Sequence, residues 1–218
     1  MAGQIRILVA DDHTLFRSGI VSLLDDVSQI IVVGEAENGE DLLRKYFLMN
    51  PDIILTDISM PLLSGTEAIQ NIYERDTSVK ALFLSMYDTE EYIYYCLKSG
   101  GLGLVSKNIL KEELVHAIML VSAGKKYFGK DWDEDKLKKL VEKFENTSTV
   151  KNNGSKTLLS PRERETLKLI SEGLTSSEIA EKMKLSKRTV DTHRTHLMQK
   201  LNMDSLSELI KYALTIFE

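Results

Sequence analysis

Five polar residues in the first half of the chain stand at the ends of short apolar runs. ILVADD ends in Asp11-Asp12, DIILTD in Asp57 and ALFLS in Ser85, and GLGLVSK carries Lys107. Each run has the length and composition of a buried strand. If the strands are parallel, all five residues reach one sheet edge. Three carboxylates held together repel one another and resist ionisation unless a cation joins them. A small hard cation such as Mg2+ takes oxygen ligands and often shares a phosphate oxygen. That combination suits phosphoryl transfer to a carboxylate, in which a metal and an ammonium offset charge on the transferring group. Asp57 is the candidate nucleophile, because aliphatic neighbours precede it and the turn Met60-Pro61 to Gly65 follows it. Lys107 would bring the positive charge and Ser85 a hydroxyl for a phosphate oxygen. A lone Asp at a strand end is ordinarily a turn former or helix cap. Four such features after four different strands outweigh that reading.

The elements that must position these residues alternate. Strands are expected at Ile5 to Val9, Ile30 to Ala36, Ile53 to Thr56, Ala81 to Ser85 and Leu102 to Ser106. Helices are expected at His13 to Leu24, Gly39 to Met49, Gly65 to Arg75, Glu90 to Ser99 and Lys111 to Ala123. Five strands alternating with five helices predict a doubly wound, flavodoxin-like α/β fold with one parallel sheet covered on both faces. Ligands in such folds bind beyond the carboxyl ends of the strands. Asp131 to Glu145 reads as an amphipathic helix with Leu137, Leu140, Val141 and Phe144 on one side. The polar stretch TSTVKNNGSKT, 147–157, reads as linker. The expected organisation is therefore an α/β domain over 1–128, a linker over 129–157 holding that helix, and an all-α domain over 158–218.

The 218 residues suffice for two domains, and the 43% hydrophobic and 28% charged content suits globular cores. One cysteine, Cys96, excludes an intramolecular disulfide and a CxxC metal site, and its apolar helical setting predicts an inert buried thiol. The N-terminus has no basic stretch leading into an apolar core, and no apolar run reaches membrane length, so a cytoplasmic protein without a membrane partner is expected. Residues 1–128 net −7, whereas residues 158–218 net +1. An acidic front half repels phosphates; a mildly basic rear half could meet them if its charges share a face.

ILVADDH, DIILTDISMPLLSG, ALFLSMY and GLGLVSK together resemble the receiver domain of two-component response regulators, over residues 4 to about 124. The resemblance implies that Asp57 takes phosphate from a histidine kinase. It implies that Asp11 and Asp12 hold Mg2+ with the backbone carbonyl of Ser59 and with Asp57. Ser85 and Lys107 would bind the phosphoryl group. Two positions depart from the family. Leu104 stands where a switch aromatic is usual, and Asn108 follows the lysine where proline, often cis, is common. A cis bond before a non-proline costs about 3–4 kcal/mol and is not assumed here.

In the rear half, Ser160-Pro161-Arg162-Glu163 and Thr175-Ser-Ser-Glu178 are capping boxes, and Ser186 opens a third helix. SSEIAEKM, KL, SKRTV has the spacing of a helix-turn-helix. Ile179, Ala180, Met183, Val190, Leu197 and Leu201 suit its packed side. The opposite face of the second helix would carry Lys187, Arg188, Asp191, Thr192, Arg194, Thr195 and Lys200, and residues 186–200 net +3. A solvated charged face is the usual meaning of that pattern. Residues 158–212 as a whole, however, resemble the LuxR/NarL-type four-helix DNA-binding domain, in SPRE, EGL and TVDTH. By that resemblance Asp191, Thr192 and Thr195 face base edges and Lys187, Arg188, His193 and Lys200 lie near phosphates of double-stranded DNA. His193 keeps a second reading, packing against the scaffold. Asp191 departs from the basic residue common there. An acid cannot pair with guanine N7/O6 but accepts from cytosine N4.

Tyr92, Tyr94 and Tyr95 crowd the fourth helix, so Tyr94 or Tyr95 should be exposed, as an interface anchor or an isolated surface tyrosine. The last helix, with Leu206, Leu209, Ile210, Ala213, Leu214 and Phe217, has more apolar surface than a small core needs. The resemblance gives it a role in pairing two subunits. The sequence thus predicts a phosphorylation-dependent transcriptional regulator that acts as a homodimer and catalyses only its own aspartyl phosphorylation and dephosphorylation. Two other classes compete. One is a constitutive DNA-binding protein with the receiver as a dimerisation module, for which Leu104 and Asn108 speak. The other is an aspartyl phosphatase, which would want an acid where Ser59 stands.

Overall fold

The computed structural model describes residues 4–86, 89–150, 159, 161–183, 185, 187–201 and 203–217. The expected alternation is present as β1 (Ile5–Ala10), α1 (Thr14–Asp25), β2 (Ile30–Ala36), α2 (Gly39–Met49), β3 (Ile53–Asp57), α3 (Gly65–Tyr73), β4 (Ala81–Ser85), α4 (Glu90–Lys98), β5 (Gly103–Ser106) and α5 (Lys111–Ser122). All four strand pairings are parallel and the order is β2-β1-β3-β4-β5. The order reverses at β1, so the ends of β1 and β3 flank the crevice where such sheets bind ligands.

Alternation along the strands divides two cores. Leu8, Ile54, Ala81 and Phe83 face α2, α3 and α4; Ile7, Val9, Ile53, Leu55, Leu82 and Leu84 face α1 and α5. Both faces are dry, so the central strands read as continuous apolar runs. At about 25 cal/mol per Å2 of apolar surface, each buried Leu or Ile contributes about 1.5–3 kcal/mol of burial free energy. That burial holds the strand ends rigid.

Local signals place several helix ends. Asn38 caps α2 by accepting from the Asp41 amide, and Asn50 closes it in the left-handed conformation, φ 46°. Ser64 and Glu67 form a reciprocal capping box on α3 that the sequence reading missed. Beyond α5, Tyr127 adds a parallel bridge to Gly103, and Tyr127 N donates to Leu102 O at 2.9 Å. The bridge covers the outer edge of β5.

The expected linker helix differs from the prediction. It is α6 (Glu134–Val150), starting later and running further than 131–145, and it packs on α4. Residues 147–150, read as linker, are helical. Residues 151–157 lie outside the described residues. The chain separates into units 1–150 and 151–218, so α6 belongs to the first rather than standing free.

The second unit is helical: α7 (Pro161–Ser171), α8 (Ser176–Met183), α9 (Lys187–Lys200) and α10 (Leu206–Phe217). Leu167, Ile170, Ile179, Met183, Val190, Leu197, Leu209 and Ala213 form its core. The capping box Thr175/Glu178 is present, with the Thr175 amide donating to Glu178 at 2.8 Å. The proposed cap at Ser160 and the helix start at Ser186 lie outside the described residues. Among the described residues, no helix is long and apolar enough to cross a membrane.

Candidate functional site

The parallel register brings the expected residues to one edge. Ala10 pairs with Thr56, Asp57 with Leu84, and Ser85 with Ser106. Asp11, Asp57, Ser85 and Lys107 therefore follow in adjacent strand ends. Asp11, Asp57 and Ser85 are buried. Lys107 Nζ lies 2.7 Å from Asp11 Oδ2 and 2.9 Å from Asp57 Oδ2, with 8% of its side chain exposed. The Lys107 amide donates to the Ser85 carbonyl at 2.7 Å, which ties the ends of β4 and β5. Asp11, Asp12, His13 and Asp57 each offer a donor atom within 4.8 Å of the others. Asp12 Oδ1 is buried and makes no hydrogen bond among the described residues, although His13 Nδ1 is 3.0 Å away. Ser59 is partly buried in the loop directly after Asp57.

The electrostatics are those of a site prepared for a cation. Burial pushes the Asp57 carboxyl up to about 6; the Asp11 and Asp12 charges push the same way, and Lys107 opposes them. Burial raises Asp12 too, with His13 pulling against it and Asp11 adding to it. Burial works against the Lys107 ammonium, but Asp57 and Asp11 outweigh it and hold its pKa above the ordinary lysine value. Among the described residues, Lys107 and the exposed His13 ring face three acids, and one Asp12 oxygen is left without a donor. Mg2+, a hard cation that takes oxygen ligands and keeps its own water, fits this donor set.

Gly65 supports Asp57 directly. A Cβ on Gly65 would stand 1.9 Å from the Asp57 carbonyl oxygen, so only glycine allows α3 to start this close to the strand end. The loop between them closes through Gly65 N donating to Ile58 O at 2.9 Å.

Sequence reasoning missed two supporting residues on α1. The Phe16 ring lies 4.7 Å from Lys107 Nζ, within cation–π range. Arg17 donates to the Asp11 carbonyl and pairs with Glu35. Their position in the first turn after DD was the available signal. The Leu104 side chain is buried, paired across the sheet with Phe83, in the apolar cluster that lies on the α4 side of the sheet. Among the described residues every peptide bond is trans, including Lys107–Asn108. Cys96 is fully buried, and burial raises its thiol well above the ordinary range, as expected of an inert cysteine.

The expected exposure of Tyr94 or Tyr95 needs correction. Tyr94 is 3% exposed and Tyr95 is partly buried, because α6 lies over α4 and Phe144 stacks on Tyr94.

On α9 the predicted DNA face divides. Lys187, Asp191 and Thr195 are exposed and Thr192 is partly exposed. His193 is 8% exposed, its ring inside the unit, so the scaffold reading describes its position. Lys200 Nζ is held at 2.9 Å by the buried Glu163 carboxylate, and Arg194 donates to the Leu174 carbonyl at 2.8 Å. At 100° per residue these three lie off the centre of the exposed face, and each has a tie within the unit. The Arg188 side chain lies outside the described residues.

Comparison with known proteins agrees with this geometry. Residues 7–119 match the response regulator receiver domain family, and residues 157–213 match the bacterial regulatory proteins of the luxR family. The oxygen regulatory protein NreC of Staphylococcus carnosus is 38% identical over 214 residues, covering 96% of this chain and 97% of that protein. The signal receiver domain of the response regulator NarL from Mycobacterium tuberculosis superposes with TM-score 0.55 at 30% identity, covering 57% of this chain and all of that one. The response regulator RcsB, solved in complex with DNA, matches with TM-score 0.54 at 26% identity over 96% of this chain and 98% of its own. The chain belongs to the LuxR family of two-component response regulators, with a receiver domain followed by a LuxR-type DNA-binding domain.

Proposed function

We propose that Asp57 accepts a phosphoryl group from the phosphohistidine of a sensor kinase, and that this modification controls dimerisation and sequence-specific DNA binding. The observation that carries the reading is the buried Asp11–Lys107–Asp57 constellation beside the unsatisfied oxygen of Asp12. Asp11, Asp12, Asp57 and the Ser59 carbonyl would hold Mg2+, which when bound offsets negative charge on the transferring oxygens. An Asp57 oxygen attacks phosphorus as the P–N bond breaks, and the ring nitrogen leaves with the electron pair. Lys107 stays on the side of the developing charge, and Ser85 supplies a hydroxyl to a phosphoryl oxygen. The same residues would support hydrolysis of the acyl phosphate, in which water attacks phosphorus, the Asp57 carboxylate leaves and inorganic phosphate is released.

The rear unit supplies the output. Asp191, Thr192 and Thr195 face base edges and Lys187 faces phosphates, a reading supported by the likeness to RcsB, which is solved bound to DNA. The exposed Leu206, Ile210 and Leu214 form one stripe of α10, suited to pairing two subunits. The protein works in the cytoplasm beside its DNA.

Incubation with acetyl phosphate and Mg2+, followed by mass spectrometry and genomic footprinting, tests the reading. One phosphoryl group on Asp57 and a phosphate-dependent footprint are expected. An Asp57→Asn variant that still takes up phosphate removes the acceptor. A footprint indifferent to phosphate favours constitutive binding.

A further inference from the structure

Phe16 lies in the first turn of α1, just after the acidic pair. The residue before it, Leu15, is 88% exposed, whereas Phe16 packs partly buried against the apolar cluster that includes Val9, Ile20, Leu84 and Val105. Ile20 stands one turn further along the same helix face. The turn itself is pinned to the end of β1. The His13 amide donates to Asp11 Oδ1 at 2.8 Å, and the Arg17 guanidinium donates to the Asp11 carbonyl. Apolar packing and these two bonds fix the Phe16 ring relative to Asp11.

From that place the ring meets the acidic site. Lys107 Nζ lies over its face, 4.7 Å from the ring centre. An ammonium carries three N–H donors and no acceptor. Asp11 Oδ2 at 2.7 Å and Asp57 Oδ2 at 2.9 Å are two of its neighbours, and the ring is the third. Only 8% of the Lys107 side chain is exposed, so little water reaches the charge. Any apolar side chain of this size could cover the lysine stem. An aromatic ring adds a negative face, and its pull on a cation grows as water is excluded.

Resting on the reading of Asp57 as phosphate acceptor, we propose that Phe16 is a positioning residue for phosphoryl transfer, its ring face holding the Lys107 ammonium in place beside the Asp57 carboxylate. For Asp57 to attack phosphorus, Lys107 must exchange its contact with the carboxylate for one with a phosphoryl oxygen. The ring makes no directional bond that this exchange would break. It therefore keeps the ammonium in the site while the oxygen partner changes. A Leu in its place would fill much of the space without attracting the charge. The ammonium would then be freer to reach water, and its stabilisation of the developing negative charge would fall.

Fluorination separates the electronic part of this role from the shape of the ring. Full-length protein in which Phe16 is replaced by 4-fluoro-, 3,5-difluoro- or 3,4,5-trifluorophenylalanine keeps a ring of nearly the same size but loses charge from its face. The initial rate of Asp57 phosphorylation by acetyl phosphate at saturating Mg2+, followed by intact mass, should fall stepwise along the series. The whole decline should be about 3- to 30-fold. Phe16→Leu should lose about as much, and Phe16→Tyr, which keeps the ring face, should stay within about twofold of the parent. Thermal melts of the same proteins keep loss of folding apart from loss of rate. A role in packing alone gives one rate across the fluorinated chains. That result, or a Phe16→Leu rate equal to the parent's, overturns the positioning role and leaves the proposed function standing. Absence of any phosphoryl uptake on Asp57 in the parent chain removes both.

Discussion

The Lys107 ammonium meets the Asp57 carboxylate at 2.9 Å, with both side chains nearly closed to water. One cation thus serves an acid that burial and two further carboxylates already disfavour as an anion. The pair leaves the site short of positive charge, and the following expectations come from that deficit and from the geometry around it.

Asp57 should make the protein less stable as pH rises. Its folded pKa of about 6 exceeds the ordinary 3.8. Below about pH 4 the acid is protonated in both states and carries no penalty. As pH rises toward about 6 the unfolded chain ionises it freely while the folded chain resists, so stability falls; above about 6 the full penalty is present. Asp57→Asn should therefore stabilise the protein by up to about 3 kcal/mol near pH 7.5, with the gain fading toward pH 4. Urea midpoints across that range measure it.

Mg2+ should reverse the penalty. A ligand that binds only the folded state at about 100 times its Kd stabilises by about 2.7 kcal/mol. The melting temperature should rise with Mg2+ and return on chelation. In Asp12→Ala, which removes the carboxylate with the unsatisfied oxygen, the rise should be absent.

Gly65→Ala should damage the site through the backbone. The added Cβ would fall 1.9 Å from the Asp57 carbonyl oxygen, a contact that no side-chain rotation relieves. Either β3 or the start of α3 must move. We expect destabilisation of about 2–4 kcal/mol and at least a tenfold slower uptake of phosphate, since misplacing a reacting group by about 1 Å costs about 100-fold. Circular dichroism melts and a timed acetyl phosphate reaction separate the two effects.

Residues of α9 should split into two groups. Lys187→Ala should weaken binding to every DNA sequence alike and lower the slope of log affinity against log salt by about 1. Lys200→Met should instead destabilise the rear unit by about 1.5–3 kcal/mol, because it removes the charge-assisted bond to the buried Glu163 carboxylate. His193→Ala should act like Lys200→Met, at about 1–3 kcal/mol, because its ring is inside the unit. Thermal melts and salt-dependent binding curves on the same variants measure both.

The amino-acid sequence by itself determined the alternating strands and helices, the parallel sheet, and the five residues at its edge. Apolar runs of strand length and helical periodicity are local signals, and parallel strands bring their carboxyl ends to one edge of the sheet. It also determined the rear helix-turn-helix, since a capping box such as Thr175/Glu178 is written in adjacent residues. Only the tertiary structure decided contacts between elements distant in the chain. Tyr94 or Tyr95 reads as a surface residue on α4 until Phe144, fifty residues beyond Tyr94, stacks over Tyr94. Lys200 reads as a phosphate contact until Glu163 of α7 meets it. Gly65 reads as an ordinary helix start until its missing Cβ proves to be where the Asp57 carbonyl lies. Periodicity says which face of a helix is apolar; which partner covers that face depends on packing across the whole domain.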